Sequence, residues 1–410
     1  MFTRRFFLRN SALAMVGAGA APLWLERALY AEGAPAPRKK VLVAIFQRGA
    51  ADGLNIVVPH AEKRYYDLRP TIAVPPPSRD AGRRQNAAID LDGFFGLHPA
   101  LAPLKPIWDD GRLAIVHAAG SPDPTRSHFD AQDFMESGTP GVKATADGWM
   151  NRAECTESTV VSPVRAVAMG AVLPRAMRGP RPAVAIENLR DFQVRNAGAA
   201  AEFETLYSDS TDPQLAAAGR ETFEAVTLLR SIQKQPYVPA AAAHYPAGRF
   251  GDCLRQIAQL IKANVGVEMA FADVGGWDHH VNEAGQLGAR LGEFSQALGA
   301  FWLDLGDRMQ DVALVTMSEF GRTARENGDR GTDHGHANCM FVMGGGVRGG
   351  KVYGKWPGLA EEQLYEGRDL NLTTDFRDVL SELVRGQLGN PDVRTVFPGY
   401  APKQLGLLRA

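Results

Sequence analysis

The chain has 410 residues, 45% of them hydrophobic, and 45 Lys and Arg against 46 Asp and Glu give a formal net charge of −1. With no basic stripe and no acidic tail, that balance excludes a nucleic-acid protein, which neutralises phosphates with clustered cations. The 43 glycines and 26 prolines predict a loop-rich globular chain, and no repeat of solenoid period is present.

A twin arginine opens the sequence, Thr3-Arg4-Arg5-Phe6-Phe7-Leu8-Arg9, and a mildly apolar stretch runs from Ser11 to Leu25. Gly17, Gly19 and Pro22 weaken any helix there, and the stretch falls short of the ~20 residues that a membrane span needs. Residues 1–31 therefore read as a twin-arginine export signal and 32–39 as a linker. This address predicts a periplasmic or secreted protein, with the twin-arginine translocation machinery as a partner and no permanent membrane span after cleavage. The route carries proteins that are already folded, often around a metal. Cys155, Cys253 and Cys339 allow at most one disulfide, and no Cys-x-x-Cys spacing exists to hold zinc or an iron–sulfur cluster.

Lys40 to Phe46 (KVLVAIF) is a continuous apolar run of strand length, as a strand buried on both faces of a parallel sheet requires. Leu113 to His117 and Val164 to Met169 repeat the pattern, and an Ala-rich, charged stretch around 188–245 predicts a helical insertion. Leu254, Ile257, Leu260 and Ile261 mark a helix stopping near Gly266, and Val267 to Ala272 a further strand. Leu287, Leu291, Phe294, Leu298, Phe301 and Leu305 recur at helical spacing before a strand from Val312 to Met317. The alternation predicts one α/β domain over 40–410, a three-layer α/β/α sandwich with a largely parallel central sheet. Ligands of such folds collect beyond the carboxyl ends of the strands.

Polar clusters sit at those ends. Asp333-His334-Gly335-His336 and Asp278-His279-His280 bring carboxylates and imidazoles into short loops, a donor set suited to divalent metals. Adjacent residues of an extended loop point apart, so Asp278 pairs with His280 and His279 faces elsewhere. Asp52 follows the first strand, with Arg48 nearby to neutralise an anion or to pair with it. Glu319 ends another strand and, once buried, needs Arg322 or a metal as partner. Ser127 and His128 place a hydroxyl beside a base, although no Gly-x-Ser-x-Gly elbow surrounds Ser127, which also suits a helix cap. His98 precedes a proline on a loop that could line the site, and His117 reads as core packing.

Six motifs appear in order: QRGAADGLN at 47–55, GLHPAL at 96–101, RSHFDAQDFMESG at 126–138, GGWDHH at 275–280, SEFGRT at 318–323 and GTDHGHANCMFVMGGGVRGGKVYG at 331–354. Behind a twin-arginine signal they resemble the exported bacterial family known as domain of unknown function 1501, itself considered similar to the alkaline phosphatase and sulfatase superfamily. The resemblance implies an alkaline-phosphatase-like fold, two divalent metals and a hydroxyl nucleophile attacking phosphate or sulfate esters. On it, DHGHAN at 333–338 and the pair Asp278 and His280 are similar to the superfamily's metal-holding segments. SEFG at 318–321 alternatively matches a Ser-Asp-His-Gly, which makes Glu319 a ligand and puts Phe320 where a His is expected. The superfamily's nucleophile spacing lands on His128, one residue from Ser127, and its first-strand Asp corresponds only loosely to Asp52.

These readings combine into an exported metallohydrolase of phosphate or sulfate esters, acting on a small molecule or a glycan. Its expected metal ligands are Asp52, Asp278, His280, Glu319, Asp333, His334 and His336. Ser127 and His128 are the expected catalytic residues, and Arg48, His98 and Arg322 the substrate-binding ones. The metals are expected to be two, drawn from zinc, manganese, iron, magnesium and calcium. The rival reading is a non-catalytic binding or accessory protein that keeps the fold and a structural metal; a mononuclear oxidoreductase lacks any cofactor motif.

Overall fold

Seven consecutive residues, Val41–Gln47, form β1, and all are buried. Their side chains alternate between two cores: Val41, Val43 and Ile45 pack with Leu254, Leu291 and Phe294, while Leu42, Ala44 and Phe46 pack with Phe376, Leu380 and Leu383. A strand apolar on both faces has to lie inside a sheet that helices cover on each side. The structure is a computed structural model describing residues 38–80, 85–154, 162–191, 224–233 and 236–409, and it has this three-layer arrangement. The expected signal, nearly all of the linker, Cys155 and most of the expected insertion lie outside the described residues, although 224–233 is helical.

A small antiparallel sheet joins β2 (Val57–Val58), β3 (Ile89–Asp90) and β4 (Gly96–Leu97), with β4 central. The main sheet adds to β1 the strands β5 (Leu113–Gly120), β6 (Ala166–Met169), β7 (Val184–Ile186), β8 (Met269–Val274) and β9 (Val312–Ser318). Three more complete it: β10 (Asn338–Gly344), β11 (Lys351–Tyr353) and β12 (Thr374–Asp375). Their order is β11-β5-β10-β9-β1-β8-β6-β7, with β12 also pairing to β5. All pairings are parallel except those of β10, which runs antiparallel to both β5 and β9. The carboxyl ends of the parallel strands and the amino end of β10 therefore share one edge. There the loops after β1, β5 and β8 meet the connection from β9 to β10.

Besides the helical stretch at 224–233, four helices of ten residues or more lie among the described residues: α1 (His128–Ser137), α2 (Arg249–Lys262), α3 (Glu283–Leu305) and α4 (Phe376–Gly386). Helices α2 and α3 cover one face of the sheet and α4 the other. Ser127 caps α1, and Gly138 closes it in the left-handed conformation at φ 71°. Helix α2 ends at Lys262, four residues before the expected stop, because Asn264 as well as Gly266 takes a positive φ. The strand expected from Val267 begins two residues later, at Met269. Among the described residues no helix is long and apolar enough to cross a membrane.

Candidate metal centre

The loop after β1 turns at Gly49 (φ 118°), where a Cβ would lie 2.9 Å from the backbone nitrogen of Asp278. Only glycine lets the two loops approach so closely. Trp277, fully buried, donates its indole N–H to the Val274 carbonyl (2.9 Å) and fixes the loop from which Asp278 and His280 emerge. Arg322 and His334 form an isolated antiparallel bridge, and hydrogen bonds at Gly321 and Gly335 tie the two ends of the β9–β10 connection together. His128 is the first residue of α1.

Three imidazoles converge here. His334 Nε2 lies 3.0 Å from His128 Nε2, 3.1 Å from His280 Nε2 and 3.2 Å from Asp278 Oδ1. Asp278 is also 2.9 Å from His280 Nε2 and 3.4 Å from His128 Nε2. Each ring presents its other nitrogen to an acceptor: His128 Nδ1 to Glu319 (2.8 Å), His280 Nδ1 to Asp333 (3.3 Å) and His334 Nδ1 to the Arg126 carbonyl (3.0 Å). Acceptors of this kind hold the proton on Nδ1 and leave a lone pair on each Nε2. Three lone pairs and a carboxylate within about 3 Å of His334 Nε2 repel one another unless extra protons or a cation lie among them. Tetrahedral zinc at 2.0–2.1 Å would set its donors roughly 3.3 Å apart, only a few tenths of an ångström beyond these contacts. The residues fit a metal, and among the described residues His128, Asp278 and His334 form a group of three able to hold one.

Electrostatics sort these groups. The hydrogen bond to Glu319 raises the pKa of His128 against the effect of burial. Burial, then the neighbouring His128 and Arg322, lower that of His334. Burial opposes ionisation of Asp278, but Arg322 and the histidines outweigh it and hold the carboxyl below its usual range. Glu319 is likewise held low against burial by His128, Gln132 and the Gly49 N–H, at 2.8, 3.0 and 2.8 Å from its Oε1.

Other sequence-predicted residues take different places. The sequence offers Glu319 a metal or Arg322; in the structure it orients His128. Arg322 is fully buried, bonded to the carbonyls of Gly49, Ala50, Trp277 and Thr332 and to Asp278, so its guanidinium is committed to the protein. Arg48 pairs with Glu136 and Asp273. Asp52 is buried against Arg69, which bonds both of its oxygens, and lies outside the cluster. Asp333 reaches the cluster only through His280. His336 stacks on Tyr365 (4.2 Å between centroids). His98 accepts from the Ala100 N–H, and burial lowers its pKa to about 4. Ser127 Oγ serves as the cap of α1, and no hydroxyl among the described residues bonds to the histidines or Asp278. His279 is buried and turned away from its neighbour's site, and His117, also buried, bonds the Val57 carbonyl. The sequence reading missed Gln132 and Glu136, whose four- and eight-residue spacing from His128 places them along one side of α1.

Fold and site together define a three-layer α/β protein with a histidine–aspartate centre at the carboxyl edge of its sheet. The chain belongs to the family described as "Protein of unknown function (DUF1501)", whose model matches residues 39–389. No curated protein matches it. Among solved structures it is similar to the PsFucS1 sulfatase from Pseudoalteromonas sp., at 12% identity and TM-score 0.39, over 94% of this chain and 75% of that one. It is also similar to a protein in the alkaline phosphatase superfamily from Vibrio parahaemolyticus, at 8% identity and TM-score 0.33, over 75% of this chain and 60% of that one. The alkaline phosphatase from the Antarctic bacterium TAB5 is 10% identical at TM-score 0.29, over 75% and 92% of the two chains. Likenesses this distant transfer no residue role.

Proposed function

We propose that the chain is an exported hydrolase of phosphate or sulfate esters that works with one divalent metal at His128, Asp278 and His334, with His280 adjoining. The observation that carries this reading is the convergence of three imidazole Nε2 atoms on one carboxylate, each imidazole oriented through its Nδ1. Three nitrogens and one carboxylate oxygen favour zinc, manganese or iron over magnesium or calcium, which prefer oxygen donors. Bound there, the metal would supply Lewis acidity and lower the pKa of a coordinated water. Glu319 holds His128 in the tautomer that presents Nε2, Asp333 does the same for His280, and Arg322 braces the Asp278 carboxylate. With Ser127 committed to capping, water is the nucleophile that this arrangement favours over a side-chain hydroxyl.

The test is the metal content of the purified mature protein by inductively coupled plasma mass spectrometry, followed by a screen of phosphate and sulfate monoesters. About one equivalent is expected in the wild type, lost in a folded His334→Ala variant and kept in His336→Ala. No stoichiometric metal after reconstitution with zinc, manganese and iron would sink the metallohydrolase and leave a binding protein. Two equivalents would overturn the single-metal assignment.

A further inference from the structure

Of the three converging histidines, His128 and His280 turn Nδ1 to a carboxylate, that of Glu319 or Asp333, whereas His334 turns it to the backbone carbonyl of Arg126. Arg126 lies in neither a helix nor a strand, and its side chain supplies the anchor. Its Nη2 donates to Asp369 Oδ2 (2.7 Å) and to Glu366 Oε2 (2.7 Å). Asp369 is fully buried, whereas the Glu366 side chain is 55% exposed, and an ion pair held in solvent adds little. The other Asp369 oxygen accepts from Arg368 Nε (3.0 Å), and Arg368 Nη2 in turn donates to the backbone carbonyl of His334. One buried carboxylate thus grips both arginines that hold His334, one at its ring and the other at its main chain. The main chain around Asp369 is itself fixed to the β9–β10 connection. Ala324 N–H donates to the Arg368 carbonyl (3.1 Å), Ala337 N–H to the Leu370 carbonyl (3.2 Å), and Thr323 and Asp369 form an antiparallel bridge.

We infer that Asp369 is the positioning residue of His334: through Arg126 and Arg368 it holds the ring in the tautomer and orientation that present Nε2 to a metal. The inference rests on His334 being a metal ligand, as proposed above. A histidine offers Nε2 to a metal only while its proton stays on Nδ1, and a carbonyl keeps it there only within hydrogen-bond distance of that nitrogen. With Asp369 in place, a buried and charge-assisted contact fixes the residue that carries this carbonyl. Without it, Arg126 retains only the exposed Glu366, and Arg368 loses the carboxylate that aims its guanidinium at the His334 main chain. The ring is then free to turn and to carry its proton on Nε2, where it blocks the metal.

The experiment measures the zinc affinity of the full mature chain by chelator competition, paired with NMR of the imidazole N–H protons in the zinc-loaded protein carrying isotope-labelled histidine. Asp369→Asn should weaken zinc binding about tenfold and bring the His334 Nδ1–H into rapid exchange with water, while the His128 Nδ1–H, held by Glu319, exchanges as in the wild type. Arg126→Ala removes the guanidinium that Asp369 grips; it should reproduce both changes, and it carries the test if Asp369→Asn does not fold. Glu366→Gln, at the exposed carboxylate on the same guanidinium, should leave both readings as they are in the wild type. A folded Asp369→Asn or Arg126→Ala protein with wild-type zinc affinity and a protected His334 Nδ1–H would overturn the positioning role and leave the metal centre standing. Equal loosening of the His128 and His334 protons would overturn it too, being the mark of a general structural effect. A wild type that binds no zinc, or whose zinc affinity survives His334→Ala, overturns the metal assignment and the inference with it.

Discussion

Two polar clusters lie near one another at the carboxyl edge of the sheet, and they are built from similar residues to opposite ends. Around Asp52, every strong donor meets an acceptor. Arg69 spans both Asp52 oxygens and the carbonyls of Thr323 and Ala324, Tyr65 donates to Asn55, and Asn55 and Thr332 donate to Glu283. Asp52, Arg69, Asn55 and Glu283 are all buried. Around His334 the rings are partly exposed, and acceptors face acceptors. A closed network stabilises a fold, whereas an open one with facing lone pairs requires something that the chain does not itself supply. What separates scaffold from site here is the matching of donors to acceptors, not the presence of Asp or His.

Breaking the closed network should have the largest effect. Arg69→Ala strands the buried Asp52 carboxylate and should cost about 3–5 kcal/mol in denaturant unfolding. Any folded fraction should still bind metal; loss of metal from a folded Arg69→Ala protein would merge the two clusters into one. Next comes Glu319→Gln, which weakens the acceptor that sets the His128 tautomer. Metal affinity measured by chelator competition should fall about ten- to a hundredfold, with unfolding in the presence of excess chelator little changed.

Glu283→Gln sharpens the contrast through pH. Burial, reinforced by Asp52, raises the pKa of Glu283 well above its usual range, while Asp52 stays ionised beside Arg69 against the effect of its own burial. A raised carboxyl pKa means that the unfolded chain releases this proton first, so wild-type stability falls as pH rises above about 4.3. The substituted amide does not titrate, and the stability of the variant relative to wild type should therefore improve as pH rises above about 4.3. A pH-independent difference would show that Glu283 is ionised in the fold. The smallest effect belongs to Ser127→Ala, which removes a cap and should cost about 0.5–1 kcal/mol with metal content and ester turnover unchanged. Abolished turnover would make Ser127 the nucleophile.

The sheet was largely legible because its parallel strands carry unbroken apolar runs: β1, β6, β8 and β9 fall within two residues of the expected segments, and β5 starts where expected and runs three residues further, to Gly120. Strand β10 escaped notice, since the alternation of helix and strand implies parallel neighbours, and Asn338–Gly344 enters antiparallel after a loop without a helix. Within the site, Asp278, His280 and His334 are adjacent in space as their loop positions suggested. Asp52 and His336 are not, because partners far away in sequence, Arg69 and Tyr365, claim their side chains, and no local pattern announces a partner. Arg322 illustrates the same limit: its charge is plain in the sequence, but its burial among four backbone carbonyls arises only when three loops meet.

The reversed strand also sets an order of events. His128, Asp278 and His334 come from segments separated by 150 and 56 residues, and the last is positioned only when β10 has inserted between β5 and β9. Non-local pairings of this kind form late, after loop-closure entropy has been overcome. The candidate centre is therefore absent from a half-assembled sheet, and the convergence of its three side chains reports that the chain has finished folding.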